Sequence, residues 1–323
     1  MNNISLKNIK KIKTIDNVTY YLRKNNVFAG AANQSIVEAE ILPTITFDDG
    51  KSYPVTNIIE FGFCYCRLLK SVIMPDSIYT IQQYAFKGCE KLKDIKLSNS
   101  LVSIKTGAFC DCVSLESVEL HNSVKILEEI MFSGCKNLKN VILPSSLKII
   151  MKTAFYGCQS IEHILLPDTL EVIEECAFQW CSGLKSIEIP DSVTWIGESA
   201  FCHCSKLERV KLPKNISVLW ENIFFGCKKL RHVNLIELLN LEKIESGVFF
   251  DCYSLTTIAI PENVKTISKR LLGYDAELKG KSNIEKVVFS KVLVNRPDAD
   301  AVFRQLFNAG LRTREILLRI PTL

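Results

Sequence analysis

A chain of 323 residues, 47% of them apolar and 23% charged, can bury a sizeable core, and length alone would suggest two ordinary domains. Forty Lys and Arg against 35 Asp and Glu leave a formal charge of only +5, too mild a surplus to mark a nucleic-acid-binding protein. The basic excess is local, at Lys7, Lys10, Lys11 and Lys13 and at Arg296, Arg304, Arg312, Arg314 and Arg319, and reads as solvated ends.

The first two dozen residues interleave Lys, Asn and Asp with single Ile and Leu residues and form no apolar run of the length a secretory signal needs. No stretch of about 18 apolar residues follows, so no membrane span is expected. The expectation is a soluble chain, cytoplasmic by its lack of a leader and its many thiols, with a cell-surface or secreted location as the alternative. Residues 16–57 carry a strand pattern from Val18 to Leu22, a turn at Asn25-Asn26 and a hairpin signal at Asp49-Gly50. Together they predict a small N-terminal β cap over residues 1–57.

From residue 58 the sequence repeats. Phenylalanine recurs at Phe63, Phe86, Phe109, Phe132, Phe155, Phe178, Phe201 and Phe224 at intervals of 23, then at Phe249 after 25. Cysteine keeps step at Cys66, Cys89, Cys112, Cys135, Cys158, Cys181, Cys204, Cys227 and Cys252. Aliphatics follow three, six and eight residues after each Cys, as in Leu184, Ile187 and Ile189, and another pair comes later, as in Val193 and Ile196. The unit is A-F-x-x-C-x-x-L-x-x-I-x-L-P-x-S-L-x-x-I, and a fixed period of this size decides the architecture.

The run L-x-x-I-x-L predicts a strand, ended by Pro75, Pro144, Pro167, Pro190, Pro213 or Pro261, which lack the N–H a ladder needs. A second extended piece, S-L-x-x-I, and a tight turn at A-F-x-x-C bring the chain round, so one repeat makes one coil. A coil cannot cover its own apolar residues, and stacking puts each Phe on its counterpart to build a continuous core. About nine or ten coils over 58–290 are expected, on the order of 45 Å of stack at about 4.8 Å per strand. The pattern then decays: Leu271, Leu272 and Asp275 take the Ala, Phe and Cys places. Over 291–323, Pro297 opens a predicted amphipathic helix carrying Val302, Phe303, Leu306 and Phe307 and stopping at Gly310, and a strand is expected near Ile316–Ile320.

The phased residues closely resemble the BspA-like class of leucine-rich repeats, most specifically over AFQWCSGLKSIEIPDSVTWIGESAFCHC (177–204) and in strong form over about 58–267. The segments DNVTYYL and DDGKSYPV also look like that family's N-terminal pattern. The resemblance implies an α/β-type, mostly β, right-handed leucine-rich-repeat solenoid with a concave parallel β-sheet, closed by an N-terminal β cap and a C-terminal helical cap. It also implies roles in adhesion and binding of extracellular or host proteins. Members usually carry a secretion signal, and the absence of a recognisable one here is a departure.

Thirteen cysteines raise the question of metal or disulfide chemistry. Nine are the phased position, where a small buried thiol packs well. Cys64, Cys110 and Cys202 each form C-x-C with a phased Cys, and Cys176 stands apart. Zinc sites use C-x₂₋₄-C with a second pair or His at defined spacing, which is missing here, so no metal or other cofactor is expected. Stacked thiols point the same way and their count is odd, which favours a reduced ladder over disulfides. His121, His163, His203 and His232 fall in different coils, and no nucleophile-elbow, P-loop or zincin motif occurs, so an enzyme is not expected. The remaining enzymatic reading would use His203 between Cys202 and Cys204.

In L-x-x-I-x-L the third and fifth places face outward on the concave sheet and are free to specify a partner. The fifth place reads Ile73, Lys96, Glu119, Ile142, Leu165, Glu188, Lys211, Asn234, Ala259 and Val288. An apolar centre of Ile142 and Leu165 is bracketed by Glu119 and Glu188, then by Lys96 and Lys211, with Asn140, His163 and Arg209 beside them at the third place. Apolar centres with charged rims are common at binding hot spots, although exposed aliphatics also simply favour β structure. The second place alternates in sign through Lys93, Glu116, Lys139, Glu162, Lys185, Glu208 and Arg231, a structural register ladder worth about 0.2–1 kcal/mol per exposed pair.

The function expected is therefore a non-enzymatic, adhesin-like scaffold that binds a protein partner on its concave face, with no nucleic-acid partner expected. The alternative is an intracellular regulatory or structural repeat protein that engages partners through its ends.

Overall fold

A computed structural model describes residues 8–268, the backbone of Lys286–Phe289 and Glu315–Leu318, and Arg304. The chain divides into two compact units, Met1–Pro167 and Asp168–Leu323.

The tight turn at A-F-x-x-C is the common device of both. Two residues before each Phe and two after it, the backbone is left-handed: Tyr84 and Gly88 flank Phe86, Ile130 and Gly134 flank Phe132, and Ser199 and His203 flank Phe201. Alternate N–H groups of the turn donate into the next coil, as in Tyr84 N–H to Thr106 O at 2.9 Å, Phe86 N–H to Ala108 O at 2.8 Å and Gly88 N–H to Cys110 O at 2.8 Å. The turn is thus itself a ladder, with its Ala, Phe and Cys side chains fully buried, as at Ala85, Phe86 and Cys89.

Left-handed backbone is strained for residues with a Cβ, so glycine recurs in these places, and it also makes room. A Cβ on Gly88 would stand 2.6 Å from the Tyr65 ring of the preceding coil, and one on Gly226 would stand 2.4 Å from His203 Nδ1.

Phe63, Phe86, Phe109, Phe132 and Phe155 in the first unit, and Phe178, Phe201 and Phe224 in the second, are completely buried. Neighbouring rings lie near-parallel with centroids 5.1–5.7 Å apart from Phe63 to Phe132. In the second unit Phe178, Phe201, Phe224 and Phe249 repeat the arrangement at 5.4–6.0 Å. These are offset stacks, which add about 0.5–1.5 kcal/mol beyond area burial.

The phased cysteine completes the unit. Cys112, Cys135 and Cys158 donate S–H to the carbonyls of Phe86, Phe109 and Phe132 at 3.1 Å, and Cys204, Cys227 and Cys252 to those of Phe178, Phe201 and Phe224 at 3.2 Å. The thiol is small enough for the turn and still donates to a carbonyl of the coil before it. All thirteen cysteines are free thiols. Proline acts as the sequence implies: the Pro144 and Pro190 carbonyls accept the N–H of Leu147 and Val193, closing the turn between the two extended pieces.

In the first unit Ile9–Ile15, Val18–Arg23 and Asn26–Ala31 form an antiparallel meander, and Thr44–Thr46 pairs antiparallel with Ser52–Ile58 around Asp49-Gly50. The first turn falls one residue earlier than expected, on Lys24-Asn25, with Lys24 left-handed. Ser52–Ile58 also lies parallel to Asn26–Ala31 and to Thr80–Ile81, so the meander continues directly into the ladder of S-L-x-x-I strands. Glu38–Glu40 pairs parallel with Ser71–Ile73. Stacking therefore begins one coil before the Phe/Cys pattern does. Ile36, Ala39 and Ile41 hold the L, I and L places of that coil, all buried. The Asn33 carbonyl, at its Cys place, faces the Cys66 thiol at 3.8 Å.

In the second unit Ser186–Glu188, Arg209–Lys211 and His232–Val233 form one parallel ladder, and Thr257–Ile260, Lys286–Phe289 and Glu315–Leu318 another. The 25-residue interval before Phe249 is taken up by a single 3₁₀ turn, Leu235–Glu237. The helix expected over 297–310 lies outside the described residues. The strand expected near Ile316–Ile320 is found at Glu315–Leu318, as a parallel partner of Lys286–Phe289.

Truncating Phe132, stacked on both faces, leaves a cavity that neighbours cannot fill. Phe132→Ala is expected to lower unfolding stability in denaturant by about 3–5 kcal/mol, with amide protection lost first between residues 109 and 158. A loss below 1 kcal/mol would refute the stack as the main source of stability.

Candidate functional site

Alternation along each L-x-x-I-x-L strand sorts its residues. Val118 and Val210 are buried, while Glu119, Arg209 and Lys211 on either side of them are exposed. Two depressions open on these outward positions, one in each unit.

The first, about 440 Å³, is lined by Asp94, Lys96, Ser117, Glu119, His121, Asn140 and Ile142 among others. Its register places Ser117 beside Asn140 and Glu119 beside Ile142. Asp94 accepts from the Ser117 hydroxyl at 3.1 Å, and His121 Nδ1 lies 3.0 Å from Ser123 Oγ. Two carboxylates against one ammonium make the formal charge of this lining −1 with His121 neutral. Ile142 is 58% exposed in it.

The second, about 660 Å³, is lined by Glu188, Arg209, Lys211, Arg231, His232, Asn234 and Glu237 among others, a formal charge of +1. Lys211 Nζ lies 3.5 Å from Glu188 Oε2 on the neighbouring strand. The Asn234 amide is pinned, accepting from Leu212 N–H at 2.7 Å and donating to Leu212 O at 3.1 Å.

The expected partner-binding residues are thus divided. Lys96, Glu119, Asn140 and Ile142 come together in the first unit, and Glu188, Arg209 and Lys211 in the second. His163 and Leu165 are both exposed, Leu165 at 89%, but line neither depression. No regular strand forms over 161–167 where one was expected, although the alternation survives, with Ile164 buried beside exposed Leu165. Glu38 and Glu40 are outward residues that the sequence reading passed over. The spacing Ile36-x-x-Ala39-x-Ile41 was the available signal, obscured by the missing Phe and Cys.

The second-place charges pair where expected in the first unit, with Glu116 3.3 Å from Lys93 and 4.0 Å from Lys139. They stand at the edge of the strand and hold register.

His203, the one histidine in a cysteine-rich setting, is built into an aromatic stack. Its ring lies 4.1 Å from Trp180 and meets Phe225 edge-on at 5.0 Å. Burial is the main cause that lowers its pKa, helped by Lys228 and opposed by Asp251. The flanking thiols go the other way: burial raises Cys202 and raises Cys204 well above the ordinary range, as it pushes Cys66 and Cys110 up to about 12. Protonated thiols serve as donors, not nucleophiles. Among the described residues no cluster of three or more His, Cys, Asp or Glu is placed to hold a metal ion, and no helix is long and apolar enough to cross a membrane.

The model for BspA type leucine rich repeat regions matches this sequence in 6 copies, over residues 56–185 and 148–279. The chain belongs to the BspA type leucine-rich-repeat family. Solved structures similar to this one include bacterial leucine-rich repeat proteins. A leucine rich cell surface protein from Faecalibacterium prausnitzii is 22% identical, with 96% of this chain and 95% of that one covered and a TM-score of 0.52. A leucine-rich repeat protein from Bacteroides ovatus is 24% identical over 96% and 100%, with a TM-score of 0.50. The pneumococcal vaccine antigen PcpA is 20% identical over 87% and 82%, with a TM-score of 0.57. At these identities the likeness establishes the fold. No curated protein matches the sequence.

The lowered pKa of His203 has a readout in its neighbour. The folded state holds fewer protons than the unfolded one below the unfolded value of about 6.5. This contribution is therefore complete above that pH and is lost as pH falls through the folded value. A protonated imidazole quenches a stacked indole, so the fluorescence of Trp180 should fall on acidification with a midpoint below about 6.5. His203→Phe should abolish that step, and a midpoint at or above the free-histidine value would contradict the burial argument.

Proposed function

We propose that this chain is a non-enzymatic, adhesin-like scaffold that captures a protein partner on its concave strands, with Ile142 and Leu165 as apolar anchors. The observation that carries the reading is their exposure, 58% and 89%, at neighbouring outward fifth places of the repeat, a place where Ile73 of an earlier coil is also 63% exposed. Covering apolar surface yields about 25 cal/mol per Å², so each anchor offers a partner a gain that the isolated fold forgoes. Lys96, Glu119 and Asn140 around Ile142 supply polar contacts that fix orientation. Glu188, Arg209 and Lys211 offer a separate polar set in the second unit.

Leucine-rich-repeat proteins typically bind proteins. A cell surface protein and a vaccine antigen stand among the similar structures, which supports an exposed setting for this one. In the same reading residues 1–57 and 291–323 close the two ends of the stack.

A second reading is favoured by the thirteen free thiols, which suit a reducing compartment. There the chain would be a regulatory or structural repeat protein engaging partners through its ends.

Ile142→Glu and Leu165→Glu decide between these readings. On the concave reading each abolishes partner capture in a pull-down while thermal unfolding stays within about 0.5 kcal/mol of wild type, as for surface changes generally. Capture by both variants at the wild-type level would remove the concave anchors and leave the ends.

A further inference from the structure

Two exposed arginines of the second unit have no ion-pair partner among the described residues; Lys206, Lys228 and Lys229 have none either, but only the arginines line the depression. Lys211 lies against Glu188, Lys214 against Asp191 at 3.7 Å, and Lys265 against Glu242 at 2.7 Å. Among the described residues, neither Arg209 nor Arg231 has a carboxylate within ion-pair distance, and both line the 660 Å³ depression. Arg209 sits in register with His232 on the next strand, directly after Arg231. The other charged groups and the amide of the depression are engaged: Asn234 by Leu212 on both sides, Glu237 Oε2 by Asn234 Nδ2 at 3.4 Å, and Glu188 by Lys211. What remains is a pair of guanidinium groups with their N–H forks turned to solvent, the geometry that grips carboxylates in a bidentate way.

We propose that this depression receives an acidic segment of a protein, two of whose Asp or Glu carboxylates are taken by Arg209 and Arg231. The proposal rests on the concave-face reading and names the chemistry that reading would recognise in the second unit. A peptide suits the site better than a uniform polyanion. The Glu188 side chain, 81% exposed, and Glu237 stand in the same depression, and a continuous phosphate or sulfate backbone would be pressed against them. Two unpaired cations are also few for a nucleic acid, whose affinity grows with the number of phosphates neutralised. A polypeptide can set its carboxylates at two points and place neutral residues opposite the glutamates. The depression of the first unit, with the opposite formal charge, lacks this preference, so the site is specific to the second.

The test uses the full chain and a fluorescein-labelled oligoglutamate peptide whose glutamates are separated by glycine and serine, with binding read by fluorescence anisotropy at low salt. Saturable binding that weakens as salt is added is expected. Arg209→Ala with Arg231→Ala should weaken it about ten-fold or more, the scale of two lost charge-assisted contacts. Lys214→Ala, outside the depression, should leave it unchanged. Arg209→Gln with Arg231→Gln repeats the measurement with side-chain volume nearly kept, and circular dichroism checks that each variant is folded. The proposal is overturned by no binding to the wild-type chain, by wild-type affinity in both double variants, or by tighter binding of single-stranded DNA or heparin than of oligoglutamate. Because no native partner is involved, a failure of Ile142→Glu to reduce capture and a failure of oligoglutamate to bind are separate results.

Discussion

Everything in this protein hangs on the turn that delivers one phenylalanine inward per coil. Two left-handed residues flank each Ala-Phe pair, and the strain they carry is offset because the turn's N–H groups donate to the next coil and its ring stacks on the next ring. Neither half stands alone. A ring without the turn could not reach the axis of the coil, and a turn without the ring would hold a costly backbone around an empty centre. The cysteine follows from the same geometry, since its thiol is the small donor that reaches the phenylalanine carbonyl one coil back.

With that element fixed at 23-residue spacing, the strands lie in register, and register decides which residues can face a partner. Glu119 stands beside Ile142, and Arg209 beside His232, because their phenylalanines are stacked elsewhere in the coil. The outward residues thus stand at positions that the packing leaves unconstrained. That is why the two depressions differ in sign and in apolar content although the coils beneath them are alike.

Much of this was legible in the sequence because the period is strict. The Phe and Cys spacing places the turns, Pro144 and Pro190 end their strands, and alternation assigns Ile142 and Arg209 to the outside. Three things were not legible. The coil containing Ile36, Ala39 and Ile41 was hidden, since Gly30 and Asn33 stand where Phe and Cys would, and a Cβ on Gly30 would come within 3.1 Å of Gly62 Cα. The absence of a regular strand over 161–167 has no counterpart in the local pattern, which reads as an ordinary repeat. The grouping of outward residues into separate depressions depends on side-chain pairing, such as Lys211 with Glu188, which spacing cannot foresee.

The left-handed positions also hold the side chains that decorate the outer edge of the turn. Where one coil carries a ring, as at Tyr65 or His203, the corresponding residue of the next coil is glycine, Gly88 or Gly226. Where both carry rings, as Trp180 and His203 do, they stack instead.

The phased thiols carry a consequence of another kind. Cys89, Cys112, Cys135, Cys204 and Cys227 are buried and tied to a carbonyl of the coil before, so a thiol reagent can reach each only when its coil opens. The repeat thereby contains one chemical clock per coil, spaced evenly along the chain. Their individual labelling rates form a map of local opening, read out by mass without any engineered probe.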